Sequence, residues 1–287
     1  MFALMTVKEL YRNYLTALHG IYNLNEATAI TDLVFETIAS FKRTDIIKYP
    51  KKTLHPPLPD LLQNALSQLL EHKPVQYVLS EAWFYNLKFK INEHVLIPRP
   101  ETEELVEQVI LNRDTKILKP RILDIGTGSG CIPVILKKNI PDAEITAIDL
   151  SENALLVARE NAAHHKTTVD FIQMDFLSEP AWQSLPRFDT IVSNPPYIPL
   201  NEREKLAKNV QDYEPHAALF VPENAPLLFY KKIALFSKTN LQLNGIIFLE
   251  THEDLAKDVA LLFEQEHFRV EIKKDGSGKE RIVMAST

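Results

Sequence analysis

The chain holds only seven glycines in 287 residues, and three of them fall in one pentapeptide, Gly126-Thr127-Gly128-Ser129-Gly130. Glycine loses the most conformational freedom on folding, so a chain this sparing with it places it where a side chain will not fit. The run before it, Arg121-Ile122-Leu123-Asp124-Ile125, reads as a short buried strand. The stretch after it, from Cys131 to Leu136, reads as the start of a helix. A glycine turn between strand and helix lets backbone approach a ligand closely and aims helix N–H groups at it. The loop therefore points to a nucleotide-like cofactor.

The pattern beyond residue 100 agrees with that setting. Strand candidates fall at 121–125, 144–149, 169–173, 188–193, 245–250, 268–272 and 281–285, with helical stretches between most of them. Such alternation predicts a parallel sheet covered on both faces. The last two candidates are separated by Lys273 to Glu280, too short for a helical crossover, so they should pair antiparallel.

The first 75 residues follow the helical period instead. Thr6 to Glu9 fits a capping box, followed by Leu10, Tyr14, Leu15 and Leu18 on one face. Asn25 is a candidate cap for a second helix carrying Ile30, Leu33, Val34, Ile38 and Phe41. Leu61, Leu62, Ala65, Leu66, Leu69 and Leu70 form a third stripe. From Trp83 to Ile97 the period shortens to two, with Asn92-Glu93-His94 as the expected turn of a hairpin. The expected organisation is a helical bundle over 1–80, a linking β-hairpin over 81–99 and an α/β domain over 100–287.

Charge and cysteine content narrow the partners. Net charge is −6; residues 1–90 carry 10 Lys/Arg against 8 Asp/Glu, and the remainder 22 against 30. A duplex-binding protein usually carries a basic face, so this balance argues against DNA as a direct partner. A single cysteine, Cys131, excludes an internal disulfide and suits a reducing compartment. The N-terminal stretch to Thr16 has no apolar run long enough for a signal peptide or a membrane span. The expectation is a cytoplasmic protein with no membrane partner.

The loop departs from the dinucleotide fingerprint, which needs glycine where Cys131 stands. Asp149, 23 residues past Gly126, ends the next strand, and a carboxylate there can accept from two adjacent ribose hydroxyls. Phe176 follows the third strand and is a candidate to stack on an adenine ring. A glycine turn serving only tight packing and an aspartate serving only as a cap are the alternatives for each piece alone.

Asn194-Pro195-Pro196-Tyr197 follows the apolar strand Thr190 to Ser193, at a carboxyl end of the sheet. It could be no more than a rigid turn. Chemistry offers a second role. An amide nitrogen is a poor nucleophile because its lone pair is delocalised. The Asn194 side-chain oxygen and the Pro195 carbonyl could hold both N–H bonds of such a group and leave its lone pair facing an electrophile. Proline fixes φ near about −65°, which steadies that carbonyl. Tyr197 can stack on the flat substrate group.

The glycine loop, Asp149 and Phe176 together resemble the S-adenosylmethionine site of class I methyltransferases, and this resemblance selects that cofactor over NAD. The chain as a whole resembles the release-factor glutamine methyltransferases. The likeness is carried by Pro74-Val75-Gln76-Tyr77, by Val95 to Glu103 (Val-Leu-Ile-Pro-Arg-Pro-Glu-Thr-Glu), by the glycine loop, by Asn-Pro-Pro-Tyr and by Tyr213-Glu214-Pro215. It implies a seven-stranded Rossmann-like sheet with an antiparallel last strand, a small N-terminal helical bundle that grips the release factor, and transfer of methyl from S-adenosylmethionine to a glutamine N5. It also implies cofactor contacts at Gly126, Thr127, Gly128, Ser129, Gly130, Asp149, Phe176 and Asn194. Substrate contacts are implied at Asn194, Pro195, Pro196 and Tyr197, with Asn194, Pro195 and Tyr197 acting in the reaction.

The chain departs from the family pattern at Ser80 and Asn86, often glycine, at Glu101, often aspartate, and at Val221 to Ala225 and Thr251-His252, where family glycines are missing. Adenine-N6 methylation of nucleic acid and ribosomal-protein glutamine methylation are the competing activities, and an unreactive cofactor-binding module the competing class. Gly276-Ser277-Gly278-Lys279 lacks the earlier glycine of a phosphate loop and reads as a hairpin turn. His164-His165 have no partner at ligand spacing, so no metal is expected.

Overall fold

The computed structural model describes residues 5–287. Two compact units divide the chain: Met1–Glu81 with Lys208–Tyr213, and Ala82–Ala207 with Glu214–Thr287.

The smaller unit begins with α1 (Val7–Leu18), α2 (Leu24–Ala39), α3 (Arg43–Lys48), α4 (Leu58–Leu70) and α5 (Val75–Leu79). The capping box at α1 is formed: Thr6 Oγ1 accepts from the Glu9 N–H at 3.3 Å, and the Glu9 carboxylate accepts from the Thr6 N–H at 2.8 Å. The cap of α2 is Asn23, not Asn25; its Oδ1 accepts from the Glu26 N–H at 3.0 Å. The buried stripe of α2 starts at Ala27, which puts Asn25 inside the first turn. In α4 only Leu62, Ala65, Leu66 and Leu69 face inward, while Leu61 and Leu70 are exposed. Six apolar residues in ten span more arc than one helix face can bury. Tyr14 packs edge-on to Phe35 at 5.2 Å, and its hydroxyl donates to the Leu62 carbonyl, as a buried phenol requires.

The second unit opens with β1 (Glu81–Phe84) and β2 (Leu87–Lys90), which form a two-stranded sheet. The hairpin turns at Tyr85-Asn86, with φ of 50° and 59°, the mirror-image geometry that matches strand twist. The expected turn at Asn92 to His94 does exist, with the His94 N–H on Asn92 Oδ1, but Val95 to Ile97 form no strand after it. Pro98 and Pro100 lack donors, and the Ile97 N–H is taken by Glu214 Oε2 at 3.3 Å. Phe84 and Phe89 are fully buried among Leu105, Val106 and Ile122, which makes the hairpin part of this unit's core.

Both departures from glycine, Ser80 (φ 56°) and Asn86 (φ 59°), carry left-handed backbone. Asparagine tolerates that region; serine does so less readily. Ser80→Gly is therefore expected to raise stability by about 0.5–1 kcal/mol, read as an upward shift of the urea midpoint at unchanged slope.

The sheet follows: α6 (Pro100–Asn112), β3 (Arg121–Ile125), α7 (Cys131–Asn139), β4 (Glu144–Asp149), α8 (Glu152–His164), β5 (Asp170–Gln173) and β6 (Phe188–Ser193). An excursion carries β7 (Ile198–Pro199), α9 (Lys208–Tyr213), α10 (His216–Leu219) and β8 (Phe220–Val221), with β7 and β8 paired in parallel. Helix α9 groups with the smaller unit, where the Tyr213 hydroxyl donates to the Glu71 carbonyl. The chain ends with α11 (Leu228–Asn240), β9 (Leu241–Glu250), α12 (Ala256–Gln265), β10 (Arg269–Lys274) and β11 (Glu280–Ser286).

The seven strands lie in the order β10-β11-β9-β6-β3-β4-β5. Neighbours are parallel except β11, which is antiparallel to both β9 and β10, as the short 273–280 connection predicts. Successive strand residues feed two separate cores, because side chains alternate across a sheet. Ile122, Val192 and Phe248 pack with α6, α7 and α8, whereas Leu123, Ile191 and Ile247 pack with α11 and α12. Each buried Leu, Ile or Phe contributes about 1.5–3 kcal/mol, which makes this double coverage the main reason the sheet holds. Among the described residues no helix is long and apolar enough to cross a membrane.

Candidate functional site

The strand order reverses at β3. From it the chain runs outward to β4 and β5, then returns to place β6 on the other side. Ligands of open α/β sheets bind outside the carboxyl ends at such a reversal. Ile125 is in register with Ser193, and the Ser193 hydroxyl donates to the Ile125 carbonyl at 2.7 Å. The glycine loop after β3 and the Asn-Pro-Pro-Tyr segment after β6 are thus side by side at one edge.

The loop is held from three directions. Its glycines Gly126, Gly128 and Gly130 all have positive φ. A Cβ on Gly126 or Gly128 would meet nothing within 4 Å, so this face is open. A Cβ on Gly130 would lie 2.9 Å from Ala158 Cβ on α8, so there the loop is pressed against a helix. Asp149 Oδ2 accepts from the Gly128 N–H and Oδ1 from the Ser151 N–H, both at 2.9 Å. Each of its oxygens keeps lone-pair capacity for a further donor. Asn161, fully buried, donates to the Ser129 carbonyl at 2.9 Å and exchanges two bonds with the Lys90 backbone. The sequence offers no sign of that role, since Asn161 sits in an ordinary polar helical stretch.

Asp124 lies under this loop, 0% exposed. Neither of its carboxyl oxygens nor the buried Thr127 hydroxyl has a hydrogen-bond partner. Burial pushes Asp124 up to about 7, opposed by the nearby Thr127 hydroxyl and reinforced by the charge of Asp149. Burial raises Asp149 as well, against the N–H groups of Ser151 and Gly128. An unpartnered buried acid beneath an open backbone cradle, with a second carboxylate beside it, fits a ligand that brings a cation to the loop and hydroxyls to Asp149.

A pH dependence follows. The folded chain holds a proton on Asp124 up to about 7, whereas the unfolded chain releases it near its ordinary value of 3.8. Stability from this group is complete below that value and lost as pH rises toward 7, a loss on the order of 4 kcal/mol. Urea midpoints of the free protein are expected to fall between about pH 4 and pH 7 and to level off above that. Asp124→Asn should flatten that fall, and an equal slope in the variant would disprove the assignment.

Phe176 is only 5% exposed, its ring tilted 33° to that of Trp182 at 5.4 Å and edge-on to Phe236 at 5.4 Å. It packs within the core cluster on this side of the sheet. The Trp182 Nε1–H donates to the Phe176 carbonyl at 2.9 Å, which keeps the pair closed.

Asn194 is part-buried, and its Nδ2 donates to Thr102 Oγ1 at 3.1 Å. Thr102, in the first turn of α6, donates in turn to Glu250 Oε2 at 2.7 Å. Glu250 is 2% exposed at the carboxyl end of β9. Burial pushes its carboxyl up to about 7, against the Thr102 hydroxyl and the Arg281 charge. Pro195 is buried and Pro196 part-buried. Tyr197 packs against the core, with its ring 6.0 Å from that of His252. Burial and the Glu250 charge push its phenol up to about 12, so it stays neutral. Arg99 Nη2 meets the buried Glu214 carboxylate at 2.5 Å, which ties the Ile97-Pro98-Arg99 segment to Glu214. Glu250 is a residue that sequence reasoning missed, although a carboxylate ending a strand is the same signal that marked Asp149.

Residues 102–212 match the family model of the methyltransferase small domain. The chain is similar to the release factor glutamine methyltransferase of Flavobacterium psychrophilum, 39% identical over 97% of this chain and 98% of that one. It is similar also to the release factor glutamine methyltransferase of Bacteroides thetaiotaomicron, 37% identical over 94% and 96%. A methyltransferase from Pyrococcus furiosus shares the fold, with a TM-score of 0.52 at 16% identity over 78% of this chain and 98% of that one. Near-complete coverage at such identity, on a methyltransferase sheet with both motifs at its reversal point, settles the assignment: the chain belongs to the release factor glutamine methyltransferase family.

Proposed function

We propose that this chain transfers a methyl group from S-adenosylmethionine to the side-chain amide nitrogen of a glutamine in peptide chain release factors. The observation that carries the reading is the register of Ile125 with Ser193, which brings the glycine loop and Asn194 to neighbouring strand ends. Family membership supplies the reaction class and the substrate.

The cofactor, when bound, supplies an electrophilic methyl on a sulfonium. Gly126 to Gly130 would hold it with backbone, Asp149 would accept from its ribose hydroxyls, and Asp124 with Thr127 would offer polar capacity beneath the loop. Phe176 supports the pocket from within the core. The substrate carboxamide gives one N–H to Asn194 Oδ1 and the other to the Pro195 carbonyl. Tyr197, neutral and packed, lies against its plane, and Pro196 restricts the backbone between them. Held this way, the nitrogen lone pair projects out of the amide plane. Positive charge develops on that nitrogen during transfer, and the two fixed carbonyl dipoles stabilise it. The product nitrogen is strongly acidic and releases its proton to water without a dedicated base. Most of the acceleration comes from alignment.

The test is methylation of a purified release factor with labelled S-adenosylmethionine, using the same factor with its target glutamine replaced as control. Label is expected on the intact factor only. Label on DNA and none on the factor would move the assignment to nucleic acid, and we expect no direct role for DNA or a membrane.

A further inference from the structure

Asn194 poses a problem of orientation that the proposed reaction makes acute. A carboxamide has an acceptor end and a donor end of nearly equal size. Rotated half a turn, Asn194 would point its own N–H groups at the substrate N–H groups, which repels the substrate instead of holding it. Some feature of the site has to select one of the two orientations.

Thr102 is placed to do so. A hydroxyl can donate or accept, so by itself it discriminates nothing. Here its single proton goes to Glu250 Oε2 at 2.7 Å. That leaves only lone pairs facing Asn194, and Nδ2 donates into them at 3.1 Å. Both Thr102 and Glu250 are buried, 4% and 2% exposed, so water does not compete for these bonds. Glu250 is fixed from behind as well, since its backbone carbonyl accepts from the buried Tyr230 hydroxyl at 3.0 Å. With Glu250 ionised, the chain of donors runs one way, from amide to hydroxyl to carboxylate. We infer that Thr102 and Glu250 are positioning residues for methyl transfer, locking the Asn194 carboxamide so that its oxygen is left to accept from the substrate amide.

This rests on the methyl-transfer reading above, and the same bonds would also tie α6 to β9. Three measurements separate orientation from mere bracing. Thr102→Val keeps shape but removes the acceptor; kcat should fall about 10- to 100-fold, with KM for the release factor and Kd for S-adenosylmethionine within about threefold. Thr102→Ser restores the hydroxyl and should return kcat to within about threefold of wild type. In the wild-type protein, the Asn194 side-chain amide should show one proton strongly protected from solvent exchange by NMR. A Thr102→Val enzyme with wild-type kcat, or a serine variant as slow as the valine one, would overturn the proposal. If the valine variant does not fold, the NMR measurement still decides: unprotected, freely exchanging Asn194 protons sink the lock. A wild-type protein that methylates no release factor would instead fault the reaction assignment, while the exchange data continue to report on the lock itself.

Discussion

Asn194→Ala is expected to lower kcat by about 10²- to 10³-fold while S-adenosylmethionine affinity stays within a few-fold. In the proposed reaction the oxygen removed is one of two acceptors that face the nitrogen as it becomes positive. Loss of one preorganised dipole of this kind costs about 2.7–4 kcal/mol of transition-state stabilisation. In the proposed binding mode the cofactor rests mainly on the glycine-loop backbone after β3 and on Asp149 at the end of β4, rather than on β6. The side chain is only part-buried and its one bond is to a hydroxyl, so the melting temperature should move little. Single-turnover kinetics with the release factor, alongside calorimetric titration of the cofactor, separate the two quantities. Undiminished turnover in the alanine variant removes Asn194 from the reaction and, with it, the amide-clamp mechanism.

Gly130→Val should remove both folding stability and cofactor binding. Gly130 has φ of +76°, and its added Cβ would stand 2.9 Å from Ala158 Cβ and 3.1 Å from Ala158 Cα. Backbone on a packed helix does not yield as a flexible side chain would. Left-handed strain of about 1–2 kcal/mol adds to an overpacking cost of about 1–3 kcal/mol. The expected loss is therefore about 2–5 kcal/mol in urea unfolding, with no measurable cofactor binding because the loop moves off Asp149. Gly128→Ala is the contrast: its Cβ meets open space, so the folding loss should stay near the strain alone while the new methyl group narrows the cofactor cradle. Equal stability losses in the two variants would contradict this division of roles.

Much of the larger unit is legible from residues alone. Period and length place all seven strands of the main sheet, and the short 273–280 connection forces the antiparallel pairing of the last two. The glycine loop and Asn-Pro-Pro-Tyr are readable because glycine and proline state their backbone geometry directly. The hairpin shows where this fails. The strongest alternation, Leu87 to Lys90, pairs backward with Glu81 to Phe84 through Tyr85-Asn86, not forward with Val95 to Ile97. Two non-glycine residues at positive φ carry that turn, and residue type alone marks only Asn86 as suited to it. Phe176 marks a different limit: an aromatic after a strand end has the same signature whether it serves a ligand or, as its contacts show, packs on Trp182 and Phe236.

What the sequence determined by itself is local: strand, loop and helix identities, the residues proposed for the amide clamp, and through likeness the family. Only the tertiary structure decided which groups meet. Asn194 and Thr102 are 92 residues apart, and Thr102 and Glu250 are 148 apart. Their hydrogen bonds depend on the crossovers that set β6 between β3 and β9 and lay α6 across the carboxyl edge. Periodicity carries information over one or two turns of chain. The partner of a buried donor is chosen by whatever strand the topology brings alongside it.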